Sequence, residues 1–259
     1  MNFETLNILY DENKPDRVHI RMDRPESRNS IDATMAREFH ELCEWLEHEP
    51  KILIISGTDI DDPKSGKRRG IFASGADLRQ MKDRRRDDAL RGVNSKAFAR
   101  IHALPMPVIA AIDGYALGGG AELAYAADFR LATPSVKIGQ PEVGLGITAA
   151  AGAMWRLKEL VGEPLALDML LAGRTLSAQE ALEARLINAI HEPELLIDAS
   201  HQLADRISSQ DPLAVRLTKT IFHMPRSAQP HVSDLAQAIA FESEAKNERI
   251  QAFLDKKRK

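Results

Sequence analysis

The segment between residues 105 and 127 constrains the fold of this chain more than any other. Pro105-Met106-Pro107 punctuates the chain, and the run that follows, Val108-Ile109-Ala110-Ala111-Ile112, is continuously apolar, the pattern of a strand covered on both faces. Asp113-Gly114 turns the chain toward Gly118-Gly119-Gly120, and residues 121–127 are good helix formers throughout. A doubly covered strand feeding a glycine-led helix demands an α/β arrangement. It also leaves bare backbone N–H groups at a helix start.

The same strand-and-helix alternation is legible upstream. Val18-His19-Ile20-Arg21-Met22 alternates apolar and polar as a half-buried strand, and Asp23-Arg24-Pro25 ends it. Met35, Phe39, Leu42 and Leu46 then share one helical face behind Asp32, a candidate N-cap, and Ile52-Leu53-Ile54-Ile55 reads as a buried strand. Residues 57–70 are polar with glycine and basic residues, and 79–91 are densely charged; these predict loops and an exposed helix. Short strands are predicted at 129–132 and 136–138, and beyond Gly152 the pattern is almost wholly helical. At 259 residues one main α/β domain is expected, with a core over 1–190 and a helical part over 191–259.

Composition excludes several classes. With 44% hydrophobic and 28% charged residues the chain is an ordinary globular protein, and its net charge of −3 gives no general attraction to nucleic acid or anionic lipid. The single cysteine, Cys43, rules out an intrachain disulfide and a multi-cysteine zinc site, and suits a reducing compartment. No run approaches ~18 consecutive apolar residues, and the first residues lack a basic and then apolar leader pattern, so a cytoplasmic protein without a membrane span is expected. No Gly-x-Ser-x-Gly elbow, Walker loop or His-Glu-x-x-His motif occurs, and none of the eight histidines, including His102, His191 and His223, is read as a metal ligand. Gly144-Leu145-Gly146-Ile147-Thr148-Ala149 loosely matches a dinucleotide fingerprint, but Pro141-Glu142-Val143 precedes it instead of a strand.

Two carboxylates carry the chemistry. Glu122 follows the glycine run, and Glu142 stands in Gly139-Gln140-Pro141-Glu142, a proline-punctuated loop. Paired carboxyl groups beside an anion-binding backbone suit acid/base chemistry on an activated carbonyl compound. Taken singly, Glu122 reads as a solvated residue favoured by the helix dipole and Glu142 as a loop carboxylate.

Phe72-Ala73-Ser74-Gly75-Ala76-Asp77-Leu78, the run from Pro107 through Gly118-Gly119-Gly120-Ala121-Glu122-Leu123, Asp128, Gly139-Gln140-Pro141-Glu142-Val143-Gly144-Leu145-Gly146 and Ala178-Gln179-Glu180-Ala181 together resemble the crotonase (enoyl-CoA hydratase/isomerase) superfamily. The resemblance spans nearly the whole chain. It implies a spiral of repeated ββα units with a helical C-terminal part, an acyl-CoA thioester substrate whose coenzyme A is not a separate cofactor, and homotrimers that often pair into hexamers. By it, the N–H groups of Ala76 and Gly119 form an oxyanion hole for the thioester oxygen. Glu122 activates the water added across the α,β double bond, and Glu142 delivers a proton to the α carbon. Ala73, Gly75, Asp77, Leu78, Gly118, Gly144 and Trp155 fall around the substrate, with Asp77 equally a helix N-cap. Asp128 matches a family acid and reads as support for the fold. Retention of both glutamates points to hydration of a 2-enoyl-CoA, with double-bond isomerisation as the alternative.

Three features depart from the pattern or extend it. Ala149-Ala150-Ala151-Gly152-Ala153-Met154-Trp155-Arg156-Leu157 replaces a Pro-Gly-rich run, so Met154 and Trp155 are expected to reshape the acyl pocket. The segment 58–69 is longer than usual and is read as a solvated insertion. Lys64, Lys67, Arg68 and Arg69, Arg84-Arg85-Arg86 and Lys256-Lys257-Arg258-Lys259 read first as solvated faces and second as phosphate-attracting patches. Because some crotonase-fold proteins bind RNA, an RNA-binding module is a second class of function, weakened here by the acidic balance and by the lack of aromatic residues interleaved with the basic ones.

Overall fold

The computed structural model describes residues 2–61, 66 and 68–256, and they form two compact units, Met1–Leu203 and Ala204–Lys259. Lys64, Lys67, Lys257, Arg258 and Lys259 lie outside the described residues. The first unit extends past residue 190 because Leu196 and Leu203 are buried on the helix that follows.

Two sheets organise the first unit. One takes β1 (Leu6–Leu9), β2 (Arg17–Met22) and β3 (Ile52–Ser56). Between β2 and β3 runs α1 (Ala33–His48), whose first turn is capped as expected: Asp32 accepts from the Met35 N–H at 2.8 Å. The second sheet receives β4 (Thr58–Asp61) and β5 (Arg68–Ala73), an antiparallel pair in the region read from sequence as loop. The pattern hides this pair because β4 is an edge strand in which intermediate and exposed residues alternate and two aspartates stand, a charged edge that also discourages pairing with another chain. Next come α2 (Leu78–Met81), α3 (Arg86–Arg91) and α4 (Val93–Ala103), the last packing beside α1.

Thereafter each repeat gives one strand to each sheet and then a helix. β6 (Val108–Ile112) enters the first sheet, β7 (Tyr115–Leu117) the second, and α5 (Gly119–Ala126) closes the unit. β8 (Phe129–Ala132) and β9 (Lys137–Gly139) repeat the step, followed by α6 (Ala153–Val161) and α7 (Glu163–Leu171). β10 (Thr175–Ser177), α8 (Ala178–Glu183), β11 (Ala189–Ile190) and α9 (Leu196–Ser208) complete the first unit's path, with α9 running on into the second. The sheet orders are β1-β2-β3-β6-β8-β11 and β10-β9-β7-β5-β4. From β2 onward the first sheet is parallel, and the five residues of β3 and the five of β6 are all buried, as their unbroken apolar runs require. This is the ββα spiral that the resemblance implies.

The two-residue turn between β6 and β7 is where the chain leaves one sheet for the other. Gly114 sits there at φ +68, and a Cβ on it would lie 1.8 Å from the Gly70 carbonyl oxygen, so only glycine fits. The second unit holds α10 (Pro212–Phe222), α11 (His231–Phe241) and α12 (Glu244–Lys256). The helical reading beyond Gly152 holds in the main, with a break at 242–243 that the sequence pattern bridged and two short strands of the first unit, β10 and β11, that it passed over. Among the described residues no helix is long and apolar enough to cross a membrane.

Candidate active site

A short parallel bridge sets the first half of the site. The N–H of Ile31 donates to Gly75 O at 2.8 Å and that of Asp77 to Ile31 O at 3.1 Å. Backbone groups of successive extended residues point to opposite sides, so the Ala76 N–H is turned away from Ile31. It faces Gly119: a Cβ on Gly119 would lie 3.4 Å from the Ala76 nitrogen. Among the described residues neither the Ala76 nor the Gly119 N–H donates to a protein acceptor. Asp77 locks this loop from behind. Its carboxylate caps α2 by accepting from the Arg79 and Gln80 N–H groups at 3.0 and 3.3 Å, and Arg24 lies within ion-pair distance of both Asp77 and Asp32.

The second half is α5. Gly118, its N-cap, adopts φ +51, and a Cβ there would come within 2.7 Å of Glu142 Oε1. Gly120 is forced by packing, since a Cβ would stand 2.3 Å from the Ala73 carbonyl oxygen. The glycine run thus lets the helix start press against β5, leaving the Gly119 N–H at the positive end of the helix dipole. At the other end the orphan carbonyls of α5 are met by cationic and ring side chains. Arg130 donates through Nε to Leu186 O at 2.7 Å and through Nη1 to Ala127 O at 2.6 Å and Ala124 O at 3.3 Å. Arg156 Nε reaches Tyr125 O at 3.3 Å and His102 Nδ1 reaches Ala126 O at 3.2 Å. Burial lowers the Arg130 pKa to about 10, a basicity that still leaves the guanidinium charged at neutral pH. Positive charge there complements the negative end of the helix and holds α5 in place.

Glu122 lies one turn into α5 and is 4% exposed. Its Oε1 accepts from the N–H groups of Ala151 at 2.7 Å and Ala153 at 3.1 Å, at the start of α6, and among the described residues its other oxygen accepts no protein hydrogen bond. A second helix N-terminus therefore orients this carboxylate. Even so its pKa is pushed up to about 7, first by burial and then by the charge of Glu142, the two amide bonds opposing the rise. Burial also raises the pKa of Glu142. Two neighbouring carboxyl groups whose hold on a proton burial strengthens can exchange one with a bound molecule.

Both glutamates line a cavity of about 690 Å³ together with Gly75, Ala76, Leu78, Gly118 and Gly119. Arg84, Arg85 and Arg86 also line it, on the segment the sequence presents as a solvated charged face. Trp155, half exposed on α6, lines instead a small recess of about 60 Å³ that shares Glu122, Ser95, Ala150 and Ala151 with the main cavity. Met154 is largely exposed. Ala73, Asp77 and Gly144 do not line the cavity: Ala73 is fully buried against Gly120, Asp77 is occupied as the cap, and Gly144 lies on the turn beyond Glu142 with open space at its Cα. Asp128 accepts from the Val108 N–H at 2.7 Å and so pins the start of β8 to β6. The amides of Ala151 and Ala153 were not legible beforehand because a backbone donor needs only a helix start, which any side chain can furnish.

A family model described as enoyl-CoA hydratase/isomerase matches residues 16–259. The chain belongs to this family, the crotonase superfamily of the sequence resemblance. It is 34% identical over 228 residues to a short-chain-enoyl-CoA hydratase of Clostridium acetobutylicum, covering 87% of this chain and 83% of that protein. It is 35% identical over 245 residues to a crotonyl-CoA hydratase of Syntrophomonas wolfei, covering 92% and 91%. A crystal structure of enoyl-CoA hydratase from Bacillus anthracis superposes with a TM-score of 0.88 at 29% identity, over 98% of this chain and 97% of that one.

Proposed function

We propose that this chain is an enoyl-CoA hydratase that adds water across the 2,3 double bond of a 2-enoyl-CoA to give the 3-hydroxyacyl-CoA. The observation that carries the reading is the convergence, on one cavity, of two buried carboxyl groups with raised pKa values and two adjacent backbone N–H groups free of protein acceptors.

The chemistry follows from charge. Adding water to the β carbon of the thioester drives an electron pair toward the carbonyl oxygen. Donors preorganised on that oxygen, the N–H groups of Ala76 and Gly119, stabilise the enolate-like transition state, and losing one such donor typically costs ~10² to 10³ in turnover. Glu122, with one oxygen held by α6, takes a proton from water through the other, and Glu142 supplies the α-carbon proton, each step contributing typically ~10² to 10⁴-fold. A basic group whose pKa lies near 7 is matched to this task at neutral pH. Arg84, Arg85 and Arg86 at the cavity wall suit the phosphates of the coenzyme A portion of the substrate.

A cytoplasmic location agrees with the lone buried thiol, Cys43. Assembly as a trimer or hexamer is supported by the exposed apolar side chains Phe222, Leu235, Ile239 and Phe241 of the second unit.

The test is loss of the conjugated enoyl-thioester absorbance when purified protein meets crotonyl-CoA, with a longer 2-enoyl-CoA in parallel. Rapid loss is expected, and Glu122→Gln should reduce it by at least about 10² while leaving acyl-CoA binding nearly intact. Full turnover by Glu122→Gln would refute the assigned mechanism. No loss with the wild-type chain, with acyl-CoA still bound, would favour double-bond isomerisation through the same enolate.

A further inference from the structure

Glu122 stands where two spaces meet. On α5, Gly119 and Glu122 line the main cavity, and Glu122 and Ala126 line the recess of about 60 Å³ beyond it. The three residues fall at i, i+3 and i+7 of one helix face, a track about 10.5 Å long that starts at an oxyanion donor, passes the base and ends at a recess wall. α4 packs on α5 and repeats the pattern. Ser95 belongs to both spaces, while Phe98, Ala99 and His102, which follow it by three, four and seven positions, belong to the recess alone. At the far end the His102 and Trp155 rings meet edge to face, their centroids 5.8 Å apart at an angle of 67°. The polar groups of the recess are engaged elsewhere. The Ser95 hydroxyl donates to Gly92 O at 3.0 Å and His102 Nδ1–H to Ala126 O at 3.2 Å, and Arg156 reaches Tyr125 O at 3.3 Å and Glu159 at 3.1 Å. The walls that meet a guest are therefore largely carbon.

We infer that this recess receives the acyl chain beyond the β carbon, and that Trp155, braced by His102, sets the chain length the site accepts. The inference rests on the hydratase reading and deepens it. With the thioester oxygen on the Ala76 and Gly119 N–H groups and the β carbon facing Glu122, the track along α5 carries the later carbons past Glu122 toward Ala126. A water-sized group needs about 10 to 15 Å³ of such space, so the recess holds on the order of four to six methylene-sized groups. The substrate class is then a 2-enoyl-CoA with an uncharged alkyl end and roughly nine carbons at most. Each methylene that enters the recess adds about fourfold in affinity until the wall is reached. A longer chain has to displace the Trp155 ring. Because that ring is half exposed, its removal opens the end of the recess to solvent and leaves no closed void. A terminal carboxylate is disfavoured, since the donors nearby are engaged and Glu122 stands at the entrance. Trp155 lies in the run 149–157 that departs from the family pattern, so the limit is a property of this chain's own residues.

The experiment measures kcat/KM for the wild-type chain, Trp155→Ala and Ala99→Leu on 2-enoyl-CoA thioesters of four, six, eight, ten and twelve carbons. For the wild-type chain the value should rise from four carbons to about eight and fall at least about tenfold by twelve. Trp155→Ala should raise the ratio of the twelve-carbon to the four-carbon value by at least about tenfold, because the wall is gone. Ala99→Leu fills the recess from α4 and should lower the ratio of the eight-carbon to the four-carbon value. The straight six-carbon substrate should outpace its analogue ending in a carboxylate by at least about tenfold. An unchanged twelve-to-four ratio in Trp155→Ala, a wild-type profile with no decline by twelve carbons, or equal turnover of the carboxylate-ended substrate would overturn the assignment. Should the wild-type chain hydrate none of the series, the hydratase reading falls. Calorimetric affinities of the saturated acyl-CoA thioesters of the same lengths then decide the recess, with the same shift expected between the wild-type chain and Trp155→Ala. Melting curves confirm that each variant is folded, and Ala99→Leu carries the test should Trp155→Ala fold poorly.

Discussion

Glu122 shows how one side chain trades stability for chemistry. Burial raises its pKa to about 7 from an ordinary value of 4.5, so the folded chain prefers it protonated. The stabilising preference is fully present below the unfolded pKa and is lost as pH rises through about 7, where folding must carry a buried carboxylate. Replacing it with glutamine keeps an acceptor for the Ala151 and Ala153 amides and removes the charge. Glu122→Gln should therefore melt at a higher temperature than the wild-type chain at pH 8 and lose that advantage at pH 4.5, with a difference of at most about 3 kcal/mol. Calorimetry at the two pH values checks this, and an equal melting temperature at pH 8 would contradict it. The same ionisation governs activity: kcat/KM should fall on the acid side with a midpoint near 7. These carboxylates were found from their spacing within ordered motifs. Their pKa values were not, because burial and the α6 amides come from segments far along the chain.

At the level of elements, α5 holds two of the proposed functional groups, and its ends explain its rigidity. Glycines at the start allow contact with β5 and Glu142, a role visible in sequence as the run 118–120. The other end depends on Arg130, which is 4% exposed and bonded to three carbonyls. In sequence Arg130 looks like an outward residue of a short strand, since nothing local reveals that its strand begins beside the end of α5. Arg130→Met should cost about 3 to 5 kcal/mol by orphaning buried carbonyls, read as a lowered urea midpoint, and should lower kcat more than it changes acyl-CoA affinity. A change below about 0.5 kcal/mol would show that water or neighbouring groups satisfy those carbonyls equally well. The β4–β5 pair failed to show in the sequence for a related reason. A charged edge strand has little apolar alternation, and its partner makes it a strand.

For the whole molecule, the second unit displays apolar side chains that an isolated chain would leave in water, among them Ile239, which is 53% exposed. Sedimentation of the purified chain should give a trimer or a multiple of it, and Ile239→Glu should shift the population toward monomer. A wild-type monomer at tens of micromolar would remove the assembly reading.

The amino-acid sequence by itself determined the parts whose cause is local. The buried strands follow from unbroken apolar runs, the caps from Asp32 and Asp77, the exposed helix starts from glycine, and the family from motifs in order along most of the chain. Tertiary structure decided whatever depends on two distant segments meeting. It brought the amides of Ala76 and Gly119 side by side, turned the start of α6 onto Glu122 and drew Arg84, Arg85 and Arg86 to the cavity wall. It also brought the Gln140 amide against both carboxylate oxygens of Glu142. Residue type and spacing encode the conformation of a short segment. Burial, dielectric and the direction of a hydrogen bond are properties of the surroundings, and only the folded chain supplies those.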